Sequence, residues 1–200
     1  MKLVLVRHGR TNKNISGLLH SRSDESLLDE VGKAQMQKVA QRLKQEFWPF
    51  YIHTSVEARA RESARIISEL VGADALEAKG FEERNWGEFE GCPWTEVKRI
   101  LDQLSLAERF IYRPPGGENW GEFKKRTVQA LRKIIKEKDN KNVVIVTHGG
   151  VIRVLLPFLL NVPKEESFKY DPANASLTVF NYEEEKFYPA LIDDVSHLDL

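Results

Sequence analysis

The stretch "NVVIVTHGGVIRVLLPFLL", residues 142–160, contains a complete strand–turn–helix unit. Val143 to Val146 is a β-branched run suited to a strand buried on both faces. Gly149 and Gly150 allow a tight turn, and the apolar run from Val151 to Leu160 then reads as a helix. A buried strand that turns straight into a helix belongs to a parallel sheet covered by helices, so the flanking segments should repeat the alternation. Upstream, "LVLVRHG" (3–9) is a second buried strand and "FYIHTS" (50–55) a third. Between them, "GRTNKNISGLLHSRSDES" (9–26) reads as a polar loop, and a helical pattern runs from Leu28 to Phe47 with Asp29 as its N-cap. A helix over 57–71 stops at Gly72, a short strand is expected near Leu76, and further helices are expected over 95–110 and 118–138. "FEERNWGEFEG" (81–91) and "RPPGGENWG" (113–121) are too rich in glycine and proline for regular structure. Downstream, "SLTVFNY" (176–182) and "FYPALI" (187–192) flank the acidic turn "EEE" as two late strands. The expected architecture is a single α/β domain over residues 1–200, a three-layer α/β/α arrangement around a mainly parallel sheet.

The totals narrow the function. An apolar fraction of 42% suits a folded soluble domain, and 30 basic residues balance 30 acidic ones. Net charge therefore gives no reason to expect a nucleic-acid or membrane partner, and any anion binding must come from local placement of charge. The single cysteine, Cys92, excludes an intramolecular disulfide and cannot alone build a thiolate metal site. "MKLVLV" is too short for a signal-peptide core, and the run to Leu160 is broken by Arg153 and Pro157, so a cytoplasmic location is expected.

In open α/β sheets, ligands sit beyond the carboxyl ends of the strands. The first strand ends in Arg7-His8-Gly9 and the strand 142–147 in His148-Gly149-Gly150, while the strand 50–55 runs out to Ser55 with Arg59 shortly after. Two histidines and two arginines can thus converge at one edge. The glycines let backbone N–H groups approach a ligand, and the helix that Gly149 and Gly150 open favours an anion at its N-terminus. Guanidinium forks match phosphate oxygens, and a neutral imidazole has the lone pair to attack phosphorus. A leaving oxygen needs a proton as well, and Glu82, Glu83, Glu88 and Glu90 crowd the 81–91 loop as candidate donors.

These segments, in this order, resemble the histidine phosphatases, the phosphoglycerate mutase-like superfamily. "VRHGRTNKN" resembles its Arg-His-Gly-x-Thr-x-x-Asn pattern, "HTSVEARA" its Ser-x-x-x-Arg-Ala segment, and "EERNWGEFEG" its Glu-x-x-x-Gly-x-x-Glu-Gly loop. "PPGGEN", "VVIVTHGGVIR" and the terminal "DDVSHL" resemble further family segments, so the likeness spans nearly the whole chain. It implies His8 as the nucleophile that carries the phosphoryl group, with Arg7, Arg59 and His148 on the phosphoryl oxygens and the Gly149 N–H in the same pocket. It implies Glu83 as the general acid, because Glu83 rather than Glu82 keeps the spacing to Gly87, Glu90 and Gly91. Gly9, Thr11, Asn14 and His20 would line the pocket or orient its groups. No metal and no cofactor are implied, because side chains supply the positive charge, and the partner would be a small phosphorylated metabolite.

The chain also departs from the pattern. Where the family usually reads Gln-Gly-x-x-Asp-x-Pro-Leu-Thr, residues 20–28 read "HSRSDESLL", and Val56 follows Ser55 where proline is common. The first departure falls in a substrate-facing segment. The implied activity is hydrolysis of a small phosphomonoester. A cofactor-dependent phosphoglycerate mutase is the alternative, since "ERNWG" resembles the mutases' Glu-Arg-His-Tyr-Gly. The mutases carry a longer insertion between Gly91 and Pro114 than residues 92–113, whose basic residues are Lys98, Arg99, Arg109 and Arg113. A non-catalytic phospho-ligand scaffold would have lost the nucleophile or the acid, and this chain keeps both. Trp86, Trp94 and Trp120 are candidates for core or loop packing, one of them for a wall of the leaving-group pocket. Arg61 and Arg65 are read as helix surface.

Overall fold

The computed structural model describes residues 1–20, 24–137 and 141–199. Six strands form one sheet: β1 (Lys2–Arg7), β2 (Phe50–Thr54), β3 (Ala75–Glu77), β4 (Asn142–Thr147), β5 (Leu177–Glu183) and β6 (Lys186–Asp194). Their spatial order is β3-β2-β4-β1-β5-β6. The pairs β3–β2, β2–β4 and β4–β1 are parallel, whereas β5 runs antiparallel to β1 and β6 antiparallel to β5. The mainly parallel sheet expected from residues 142–160 is present, with the two late strands as its antiparallel flank.

Strand side chains alternate between faces, and that alternation builds the three layers. Val4, Val6, Val144 and Val146 pack toward α2 (Glu30–Glu46) and α3 (Ala58–Val71), against Met36, Val39, Leu43 and Ile67. Leu3, Leu5, Val143 and Ile145 point the other way, toward α6 (Trp120–Glu137) and α7 (Gly149–Leu160), against Phe123, Leu131, Val151 and Leu155. Burying each such side chain contributes about 1.5–3 kcal/mol. A smaller cluster of Trp86, Val97 and Leu101 supports the loop that follows β3.

Local signals account for most element ends. Asp29 caps α2 by accepting from the Gly32 N–H, and Gly72 ends α3 in the left-handed conformation, as expected. The 81–91 segment, expected to be irregular, holds a 3-10 turn at Gly87–Phe89, and two α-helical segments also differ from expectation. The segment 9–26 is not all loop, because Asn12–Ser16 forms the short helix α1 through a Thr11–Asn14 capping box. The helix expected over 95–110 is two helices, α4 (Trp94–Leu101) and α5 (Leu106–Ile111). Ser105 and Glu108 form a second capping box that starts a new helix instead of continuing the old one. The long helix expected over 118–138 begins at Trp120, and Lys138 lies outside the described residues, as do residues 21–23 of the atypical 20–28 segment. No helix among the described residues is long and apolar enough to cross a membrane.

Candidate active site

Strand pairing alone brings the expected residues together. β1 and β4 are adjacent and in register, Arg7 beside Thr147, so both release their next residue at the same edge. The ladder runs one residue further, with the His8 N–H on the Thr147 carbonyl at 2.8 Å. On the other side of β4, the Ser55 N–H donates to the Val146 carbonyl at 3.0 Å and starts the chain toward α3. The His8 and His148 rings stand 5.3 Å apart.

His8 is buried, and its Nδ1 lies 2.8 Å from the Gly9 carbonyl oxygen. A carbonyl can only accept, so Nδ1 carries the hydrogen and Nε2 keeps the lone pair. Burial pushes the imidazole well below its ordinary value, and Arg59, His148, Arg7 and His20 push the same way. A neutral, oriented imidazole results. Gly9 serves this arrangement from the backbone. Its N–H is taken by Ser63 Oγ at 3.1 Å, and a Cβ there would stand 2.6 Å from the Gly32 carbonyl oxygen, so only glycine seats this turn against α2.

Arg59 is fully buried in the first turn of α3. Its Nη2 donates to Glu57 at 2.8 Å, while Nε and Nη1 find no partner among the described residues. Arg7 donates from Nη1 to the Pro172 carbonyl, and its Nε likewise finds none. His148 is fully buried too, with Nε2 2.6 Å from Glu57 Oε2 and 2.9 Å from Ser55 Oγ. Burial lowers the His148 pKa and Glu57 opposes it. Glu57 was missed by sequence reasoning. Burial works to raise its carboxyl pKa, yet His148, Arg59 and the Glu83 N–H hold it down at about 2, so it is ionised. The only sequence trace of it is an acid two residues before Arg59, which by spacing alone says nothing.

The two adjacent acids of the 81–91 loop part company. Glu82 turns away to Arg126, at 3.3 Å. Glu83 faces the site, accepting the Gly150 N–H at 3.0 Å and the Arg84 N–H at 2.8 Å. A cavity of about 610 Å³ opens above, lined among others by Arg7, Asn14, His20, Glu83 and Gly149. His8, Arg59 and His148 are buried, while Arg7 and Gly149, the chain neighbours of His8 and His148, line the cavity. Thr11 is buried and bonds His20 Nε2 at 3.1 Å, and His20 gives its Nδ1 hydrogen to Asp24 at 2.7 Å. Burial, with Arg59 adding to it, lowers the His20 pKa to about 4 despite Asp24, so the ring is neutral. Asn14 Oδ1 accepts from Asn174, whose amide also donates to the His8 carbonyl.

Three of the four tryptophans, Trp86, Trp94 and Trp120, wall this cavity. Arg84, which sequence reasoning did not single out, is buried between Trp86 and Trp120, 4.2 and 5.3 Å from their ring centres. Burial lowers its pKa to about 10. Of the basic residues between Gly91 and Pro114, Lys98 and Arg109 line the cavity but both pair with Asp102. Arg113 pairs with Glu122 at the surface. Arg61 and Arg65 are surface residues paired with acids, as read from the sequence.

Comparison with known proteins agrees with this geometry. The family model for the histidine phosphatase superfamily (branch 1) matches residues 3–195. A metal-independent phosphoserine phosphatase of Arabidopsis thaliana is 31% identical over 202 residues, covering 98% of this chain and 83% of that protein. Phosphoglycerate mutase-like protein 4 of the same plant is 31% identical over 208 residues, covering 99% and 87%. Among solved structures, a phosphoserine phosphatase mutant from Entamoeba histolytica in complex with phosphoserine superposes with a TM-score of 0.84 at 25% identity, covering 98% of both chains. The chain belongs to the histidine phosphatase superfamily, branch 1.

Proposed function

We propose that this protein is a phosphatase that hydrolyses a small phosphomonoester through a phosphohistidine at His8. One observation carries the reading. A neutral imidazole, turned by the Gly9 carbonyl so that Nε2 keeps its lone pair, stands beside a fully buried Arg59 whose Nε and Nη1 find no partner among the described residues. Buried cations and donors are costly unless something satisfies them, and a phosphoryl oxygen does so.

In the first step His8 Nε2 attacks phosphorus and the ester P–O bond breaks, with the Glu83 carboxyl giving its proton to the leaving oxygen. In the second, the Glu83 carboxylate takes a proton from water, the water oxygen bonds to phosphorus, and the P–N bond breaks to release inorganic phosphate. Arg7, Arg59, His148 and the Gly149 N–H hold the non-bridging oxygens throughout, so the charge that a metal ion would supply comes from side chains. Thr11, Asn14 and His20 form a hydrogen-bonded wall that keeps the His8 segment in place.

The leaving group occupies the cavity between Trp86, Trp94 and Trp120. Phosphoserine is the first substrate to try, because several similar proteins are named for it. The same reading takes residues 1–200 as one catalytic domain acting in the cytoplasm on a soluble metabolite. The test is phosphate release from a panel of phosphomonoesters in EDTA, with His8→Ala as control and 3-phosphoglycerate plus a trace of its bisphosphate assayed for isomerisation. Metal-independent release that His8→Ala abolishes is the expected result. Isomerisation without release would make the protein a mutase, and silence across the panel would count against catalysis.

A further inference from the structure

Glu57 occupies the N-cap position of α3, where an acid ordinarily accepts from the helix's own first N–H groups. Here the side chain makes no such bond. It is instead buried, and a single oxygen, Oε2, meets three groups from three parts of the chain. These are His148 Nε2 at the start of α7 (2.6 Å), Arg59 Nη2 in α3 (2.8 Å) and the Glu83 N–H in the loop after β3 (3.3 Å). Each belongs to a residue that the phosphatase reading places around the phosphoryl group.

We propose that Glu57 is a positioning residue, a buried clamp that holds His148, Arg59 and the Glu83 backbone in register without touching substrate. This rests on the phosphatase reading for its purpose but on the geometry for its existence. An ionised carboxylate only accepts, so it dictates that His148 carries a hydrogen on Nε2. Nδ1, which has no partner among the described residues, is then the atom that faces a phosphoryl oxygen. It can donate there only after taking up a proton from solvent, which makes His148 an imidazolium held between Glu57 and the bound dianion. The other charged or titratable groups around His148 are Arg59 on α3, Glu83 in its loop, Arg7 and His8 at the end of β1, and His20 after α1. Glu57 is the acid in direct ion-pair contact with the ring.

The test combines two variants with a spectrum of the unmodified protein. Glu57→Gln keeps the shape but removes the charge, and its amide can donate to Nε2 and so reverse the tautomer. By analogy with other residues that orient a catalytic histidine, kcat should fall roughly 10²-fold with a smaller change in KM. The alkaline limb of the kcat profile should move to lower pH, because His148 loses the carboxylate that helps it hold a second proton. Glu57→Asp should recover part of the loss. Unchanged kcat and pH profile in folded Glu57→Gln would overturn the proposal, as would equal losses in Gln and Asp that merely follow a drop in melting temperature. If the variants do not fold, ¹⁵N imidazole spectra of the wild type decide. The Nε2–H form of His148, gaining a proton at Nδ1 when inorganic phosphate binds, is expected, and a neutral Nδ1–H form would overturn it. This measurement needs no turnover, so an inactive wild type would count against the phosphatase reading and leave the clamp to be judged separately.

Discussion

Gly150 has no side chain where Glu83 needs the space, since a Cβ there would stand 2.1 Å from Glu83 Oε1. Gly150→Ala should therefore displace the carboxyl while leaving His8 and Arg59 in place. Because Glu83 also takes a proton from water in the second step, its donor role is read from phosphoryl transfer to His8, measured as kcat/KM. With Glu83 as the proton donor, kcat/KM should fall on the order of 10²-fold for an alkyl phosphate, the low end of what a general acid contributes. It should fall far less for p-nitrophenyl phosphate, whose leaving group needs no proton. Equal losses of kcat/KM on both substrates would remove Glu83 from the donor role. Arg59→Ala should cost on the order of 10²–10³ in kcat on either substrate, by analogy with removing a donor from an oxyanion hole. At this scale the sequence was legible where a side chain's placement depends on short spacing. Glu83 rather than Glu82 followed from the distance to Gly87, Glu90 and Gly91, and the structure sends Glu82 to Arg126 instead. Glu57 was not legible, because its meaning depends on His148, which lies far along the chain and becomes a neighbour only through the pairing of β2 with β4.

The turn after β1 is pinned to α2 by close backbone contact, and Gly32 is where that contact is tightest. A Cβ at Gly32 would lie 2.1 Å from the Arg10 carbonyl oxygen and 2.7 Å from its nitrogen. Helix propensity argues that Gly32→Ala should stabilise α2 by about 1 kcal/mol. The clash is with backbone, which cannot swing aside, and overpacking of this kind costs about 1–3 kcal/mol. The clash should win, so Gly32→Ala is expected to lower the urea midpoint, and a raised midpoint would show that the turn can yield. The strands and long helices were readable from periodicity because packing demands it of every residue. α1 and the break between α4 and α5 were missed because they hang on single polar side chains. The capping residues Thr11 with Asn14 and Ser105 with Glu108 are visible in sequence, but the polar composition of 9–26 outweighed the first pair and the helix pattern on either side outweighed the second.

Across the whole molecule, function and stability share the same buried groups. His8, His148 and His20 are all held below the ordinary imidazole value of 6.5, His20 at about 4. As pH falls below that value the unfolded chain takes up protons that the folded one refuses, so folded stability must decline. Glu57, at about 2 instead of 4.5, adds a loss of the same sign at lower pH. The stability these groups lend is complete near neutral pH and goes as pH drops from about 6.5 toward 4, with His20 alone worth on the order of 3 kcal/mol. Urea midpoints measured across that range should fall steadily, and a flat profile would mean the histidines titrate freely. The proposed phosphoryl site thus contributes to the acid sensitivity, alongside His197 and Asp194 near the C-terminus, which are also held below their ordinary values. The central claim, a phosphoryl group carried on His8, is tested most directly by mixing the protein with a radiolabelled phosphomonoester and quenching in alkali within milliseconds. The account predicts a label on the protein that is stable in alkali, lost in acid, mapped to His8 and absent from His8→Ala. A label on another residue, or undiminished turnover by His8→Ala, would contradict it.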